Sequence, residues 1–191
     1  MDTHFEDYIK CVNNGNLHPQ LNKLFPDNIS DLQNTILYGP AGIGKYSQAL
    51  YGVRKYSPTN LKYERKLNIV YGKKDYNIKI SDIHFEVDFS LLGCNAKFLW
   101  YNIYTHILDI ISTRPNSTGI IICKNFHDIH SELLDVFYSY MQSLFFINVK
   151  LVYILITEQV GFIPFNIINR SLILPMRRPS KAVYEKCIGL P

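Results

Sequence analysis

Apolar residues recur along this chain in two rhythms. Unbroken apolar runs appear at Ile120 to Cys123 and Leu151 to Ile156, and mostly apolar ones at Asn34 to Tyr38 and Ser171 to Leu174. Runs of this length fit strands covered on both faces of a parallel sheet. Ile83 to Asp88 is a further strand, and Lys66–Tyr71 and Tyr76–Ser81 alternate around Gly72-Lys73-Lys74-Asp75, which predicts a hairpin. Between these segments the period becomes helical. Tyr46–Tyr56 follows the first strand as a helix. Lys97–Thr113 repeats its apolar positions at Phe98, Tyr101, Ile103, Ile107, Leu108 and Ile111. Ser131–Phe146 is amphipathic, with Ser131 as N-cap and Glu132 in the first turn. Its aromatic face (Phe137, Tyr138, Met141, Phe145, Phe146) is mostly core, with some of it available for an oligomer contact. Shorter helices are expected at His18–Phe25 and Ile163–Asn169, and Pro115 to Gly119 is a loop. Strands alternating with helices predict an α/β fold: a five-stranded parallel sheet flanked by helices, with an inserted β-hairpin. The chain divides into an N-terminal helical segment (1–34), a core (35–176) and a tail (177–191).

The first strand runs into Gly39-Pro40-Ala41-Gly42-Ile43-Gly44-Lys45-Tyr46, and Ser47 follows. The pattern G-x-x-x-x-G-K-[ST] is satisfied up to its last position. Such glycines let backbone N–H groups curl around phosphate oxygens, and Lys45 is placed to reach the outer phosphates. Strand, loop and helix is the context the motif needs. Tyr46 stands where a small hydroxyl should hold Mg²⁺, and its oxygen lies too far from the helix start for octahedral ligation. Ser47 is one position late and points elsewhere around the helix, so it can restore at most part of that role.

Composition narrows the class without naming the chemistry. The 191 residues are 47% apolar and 14% aromatic, which suits one domain with a substantial core. The net charge of +4 is too small to argue for nucleic acid by itself. Cys11, Cys94, Cys123 and Cys187 lie far apart without CxxC spacing, so they are expected as buried, reduced thiols of an intracellular protein. The acidic start Met1 to Asp7 is unlike a signal peptide, and no apolar run is long enough to span a bilayer. The abundance of Asn, Ile, Lys and Tyr points to an AT-rich genome.

Three stretches carry a resemblance to a known family. They are Ile36 to Lys45; the hairpin followed by Ser81-Asp82-Ile83-His84-Phe85-Glu86-Val87-Asp88-Phe89-Ser90; and Phe162-Ile163-Pro164-Phe165-Asn166-Ile167-Ile168-Asn169-Arg170-Ser171. Over about Leu24 to Pro179 the chain resembles the AAA+ core of clamp-loader small subunits, as in eukaryotic replication factor C. The resemblance implies a P-loop NTPase core over 35–176, with 177–191 as a stub of the lid. It implies ATP or ADP as ligand and other clamp-loader-like or assembly subunits as partners. The compartment would be the nucleus, the cytoplasm or a viral replication compartment.

Departures from the family pattern shape the functional expectation. The family's third strand ends in an acidic pair that orients Mg²⁺ and water, whereas here Lys124 and Asn125 follow Ile120 to Cys123. Thr157 stands where a sensor asparagine is usual, and Asp128 is badly placed to substitute for the acids. Losing both the hydroxyl and the acids argues against turnover and leaves Mg²⁺ doubtful. Lys124 and Asn125 are then a solvated strand end. Of the Ser-Arg-Cys motif only Arg170 is kept, which the resemblance makes an arginine finger offered in trans. The leading expectation is an ATPase-inactive accessory or scaffold subunit of a DNA-replication complex. The alternatives are a P-loop ATPase or kinase with a rebuilt metal site, and a structural assembly protein on a relic fold. His84, Glu86 and Asp88 alternate as a metal site would, but are taken as a satisfied strand edge. Arg177-Arg178 with Lys181, and the Lys73-Lys74 tip, could meet DNA phosphates, though solvated charge is the plainer reading, so DNA is weakly indicated.

Overall fold

Strand β1 (Thr35–Tyr38) lies inside the sheet, paired in parallel with β6 (Lys150–Thr157) on one side and β7 (Leu172–Pro175) on the other. The computed structural model describes residues 4–72, 74–114, 117–142 and 149–188. The remaining strands are β2 (Arg65–Tyr71), β3 (Lys74–Ile80), β4 (His84–Asp88) and β5 (Thr118–Lys124). Together they form one seven-stranded mixed sheet in the order β2-β3-β4-β5-β6-β1-β7. β4, β5, β6, β1 and β7 run parallel, as the apolar runs predict. The expected strand count of five is corrected to seven, because the β2–β3 hairpin does not stand apart. β3 continues the sheet by pairing antiparallel with β4 through Lys79↔Glu86 and Ile80↔Phe85.

Alternation along the central strands divides the core between two faces. Ile36, Ile121, Cys123, Tyr153 and Leu155 pack under α3 (Ala96–Ser112) and α4 (Ser131–Tyr140). Leu37, Ile120, Ile122, Val152, Ile154 and Ile156 pack under α1 (Phe5–Asn14) and α2 (Lys45–Val53). A short α5 (Phe165–Ile168) joins the α3–α4 face through Ile167, and α6 (Lys181–Ile188) follows β7. Pro19–Leu24 forms a 3₁₀ turn rather than an α-helix. No helix among the described residues is long and apolar enough to cross a membrane.

Several sequence expectations are adjusted. β5 begins at Thr118, so Gly119 belongs to the strand rather than to a loop. A side chain there would overlap Ile111 of α3, and that close approach is why the strand carries a glycine. His130, extended at φ −68 and ψ 140, is the N-cap of α4, and Ser131 is its first helical residue. The expected helix to Phe146 is described as far as Tyr140; Phe145 and Phe146 lie outside the described residues, as do Lys73 and residues 115–116. Of the aromatic face, Phe137 and Met141 are buried and Tyr138 is half-buried. Cys123 is buried but Cys11 and Cys94 are exposed, which corrects the expectation of uniformly buried thiols. The Cys187 side chain is outside the description.

Candidate functional site

Chain direction creates a crevice at the carboxyl end of β1. The connection leaving β1 runs through α2 over one face, while that leaving β6 runs to α5 on the other. Where successive connections diverge in this way, open α/β sheets leave room for a ligand beside the strand ends. Residues 39–44 fill the mouth of that crevice.

The loop is anchored at each end. Gly39 N–H donates to the Thr157 carbonyl at 3.3 Å, and Met176 N–H donates to the Tyr38 carbonyl at 2.8 Å. A side chain at position 39 would overlap the Met176 carbonyl oxygen, so β7 can pass this close only because the residue is glycine. Pro40 and Ala41 lead to Gly42 and Gly44, at φ +73 and +85, where an L side chain is strained. Gly44 caps α2 without any side chain, so the first turn presents bare backbone N–H groups. Ile43 is buried, and its carbonyl accepts from His18 Nε2 at 2.9 Å. Asn16 Oδ1 holds this brace by accepting from His18 N–H and Gln48 Nε2, both at 2.8 Å. Asn16 and His18 were not foreseen as loop supports. Nothing in their spacing shows that the segment after α1 folds back onto residue 43.

Lys45 opens α2 and turns back over the loop. Its ammonium donates to the carbonyls of Gly39 and Pro40, each at 2.6 Å, and the residue is 8% exposed. Burial pushes its pKa below the ordinary lysine value, with the Glu158 carboxylate opposing. An arriving phosphate would compete with these two carbonyls for the ammonium.

Tyr46 points away from the loop mouth. Its phenol donates to Glu86 Oε1 at 2.6 Å, and its ring meets Tyr8 edge-on at 4.7 Å between centroids. Burial, and then the Glu86 carboxylate, push the phenol far above its ordinary range. Lys124, at the end of β5, places its ammonium 4.4 Å from the centroid of the same ring. Lys124 is therefore not a solvated strand end. It is half-buried on an aromatic face, a cation–π arrangement. Asn125 is not free either: it sits in the left-handed region at φ +50 and donates from Nδ2 to Asp88 Oδ1 at 2.9 Å. Ser47 is half-buried on α2.

β4 is likewise not an edge. It pairs with both β3 and β5, and His84 and Glu86 are buried beneath α1 and α2. His84 Nδ1 meets Ser81 Oγ at 2.6 Å, and its Nε2 lies 3.5 Å from Glu86 Oε1. Positions 84–88 alternate polar and apolar residues, which signals a strand but not an interior one. That Glu86 would serve Tyr46, forty positions earlier in the chain, was not legible.

Two carboxylates on β4 are already engaged, while Glu158 lies beside the loop and acts on Lys45. Glu86 Oε1 accepts from Tyr46, and Asp88 Oδ1 accepts from Asn125 Nδ2, Ser90 N–H and Ser90 Oγ. Among the described residues no group of three or more His, Cys, Asp or Glu could hold a metal ion. The loop itself fits an anion: it combines uncapped helical N–H groups with a lysine at the first helical position.

Thr157, in the sensor position, is buried, and its hydroxyl donates to the Gln159 carbonyl at 2.8 Å. Asp128 is exposed. Arg177 and Arg178 line an open cleft of about 560 Å³ with Tyr38, Gly39, Pro40 and Glu158, which puts them beside the loop. Lys181 is exposed and pairs with Glu185 at 3.6 Å. Arg170 lies just before β7, at the amino end of the parallel strands and therefore across the sheet from the loop. It is exposed, with its guanidinium 5.8 Å from the Tyr138 ring centroid.

No protein-family model matches the chain, and no curated protein matches it in sequence. Among solved structures, the crystal structure of Saccharomyces cerevisiae RIF2 is similar. The identity is 12%, the alignment covers 98% of this chain and 69% of that one, and the TM-score is 0.53. Likeness at that identity is likeness of fold alone.

Proposed function

We propose that this protein is a non-hydrolysing, clamp-loader-like AAA+ subunit of a DNA-replication assembly, whose Gly39–Lys45 loop takes ATP or ADP as a structural ligand. The observation that carries the reading is the contrast inside one site. Gly44 leaves the first turn of α2 uncapped beside Lys45, as an anion site needs, while Tyr46, Glu86 and Lys124 engage one another at the positions where the resemblance puts the metal chemistry. Phosphoryl transfer depends on a metal clamp and an oriented water, and Asn125 carries no carboxylate to orient one. Arg170 cannot serve its own loop from the opposite end of the strands, so a finger role is one offered to a neighbouring subunit. The fold likeness to RIF2 is compatible with this reading and contributes nothing specific to it.

A second reading has its own observation. Lys45 already has two carbonyl acceptors at 2.6 Å, as expected of a loop closed on itself in a structural assembly protein. Equilibrium titration of the purified chain with ATP and ADP separates the two. Micromolar binding that is lost in Lys45→Ala, with no phosphate release over hours, supports the nucleotide-holding subunit. No binding at millimolar nucleotide leaves the self-closed structural protein. Turnover abolished by Lys45→Ala would revive an enzyme with its metal site built elsewhere.

A further inference from the structure

The cleft beside the loop carries charge of both signs. Arg177 and Arg178 are exposed in its wall, and the one carboxylate among the residues that line it belongs to Glu158. Backbone pairing fixes where that residue stands. Gly39 N–H donates to the Thr157 carbonyl at 3.3 Å, so residue 158 starts directly beside the loop. The Lys45 ammonium donates to the carbonyls of Gly39 and Pro40, two more residues of the same wall. Burial lowers the pKa of that ammonium, and the Glu158 carboxylate pulls it back up. Glu158 Oε1 lies 3.9 Å from His127 Nε2, and no lysine or arginine among the described residues forms an ion pair with it. A phosphate arriving for Lys45 therefore brings negative charge to a wall that already holds one.

We propose that Glu158 is a specificity-determining residue, an internal anion at the mouth of the loop that weakens binding in step with the charge of the phosphate chain. This rests on the reading of Gly39 to Lys45 as a phosphate-binding loop. Repulsion between charges grows with their product, so the penalty mounts from a nucleoside monophosphate to a diphosphate to a triphosphate. Arg177 and Arg178 attract the same ligand, but they do so whether or not residue 158 is charged. Comparing the chain with and without the carboxylate isolates its share. Glu158 is exposed, so salt screens it and the penalty shrinks as ionic strength rises.

Glu158→Gln keeps the shape of the side chain and removes its charge. Calorimetric titration of the full chain with AMP, ADP and ATP, in excess EDTA and low salt, compares this variant with wild type. The variant should bind AMP about twofold tighter and ATP about tenfold tighter, with ADP between. At ~1 M salt, where charges act over only about 3 Å, the three gains should converge on one another. Binding by the variant alone would be the strong form of the same result. Asp128→Asn removes another exposed carboxylate, whose Oδ2 lies 4.0 Å from His127 Nε2, and should leave all three affinities as they are. An equal gain from Asp128→Asn would trace the effect to net charge and overturn the assignment to Glu158. No gain, or a gain of one size for all three nucleotides, would remove Glu158 from the role while leaving the loop reading intact. No binding of any nucleotide by either protein at millimolar concentration would overturn the loop reading and this inference with it.

Discussion

Tyr46 replaces a small hydroxyl with a phenol that reaches a buried carboxylate on another strand. Tyr46→Phe keeps the ring under Lys124 but leaves Glu86 Oε1 without its donor at 2.6 Å. A buried polar group stripped of its partner costs about 1–3 kcal/mol, so the urea midpoint at neutral pH should fall by that equivalent. The same residue shapes the alkaline limb. Burial is the main cause that pushes Tyr56 and Tyr104 up to about 12, and Tyr46 is pushed further still. In the unfolded chain these phenols ionise near pH ~10. Above that pH the native state retains protons that the unfolded state has lost, so stability falls as pH rises from about 10 through about 12. Urea midpoints measured across that range should show the decline, with a shallower slope in Tyr46→Phe. The motif and its broken final position were plain in the sequence, because they lie within eight consecutive residues. The destination of the tyrosine was not, since it depends on β4 lying beside β5 beneath α2.

Helix α2 packs closely on the segment before β1 at Gly52. Gly52 faces the Phe25 ring, and a Cβ on it would lie 2.5 Å from ring carbons. In an exposed helix, glycine to alanine gains about 1 kcal/mol. Here Gly52→Ala should lose about 1–3 kcal/mol instead, because a buried ring must shift. Thermal melts of the two proteins would show the sign. The hydrophobic rhythm located the strands to within about two residues and the starts of α2, α3 and α4, because burial on two faces leaves mostly apolar runs. It misplaced details set by contacts between elements. Gly119 looked like a loop glycine, whereas Ile111 of α3 requires its bareness inside β5. Residues 84–88 looked like an edge strand, whereas β3 covers the side that the hairpin was expected to leave open.

Across the whole molecule, Arg177 and Arg178 lie apart from Arg170. Arg177 and Arg178 line the cleft beside the loop, and Arg170 sits across the sheet from it. Arg170→Ala should therefore leave the chain's own ATP affinity unaltered in the same titration, with any loss appearing only when a second subunit supplies the nucleotide. A change beyond about twofold would show that the two ends of the sheet communicate. The order of the strands also bears on how the chain comes to be made. β1 is made well before its neighbours in the sheet, β6 at Lys150–Thr157 and β7 at Leu172–Pro175. At roughly 5–20 residues per second, synthesis reaches these partners only after some seconds to tens of seconds. During that interval Ile36 and Leu37 have no strand beside them, and the loop they lead into has no anchor at Thr157 or Met176. The Gly39–Lys45 loop thus takes its shape only once β6 and β7 have been made, and the apolar strand that leads into it needs shielding until then.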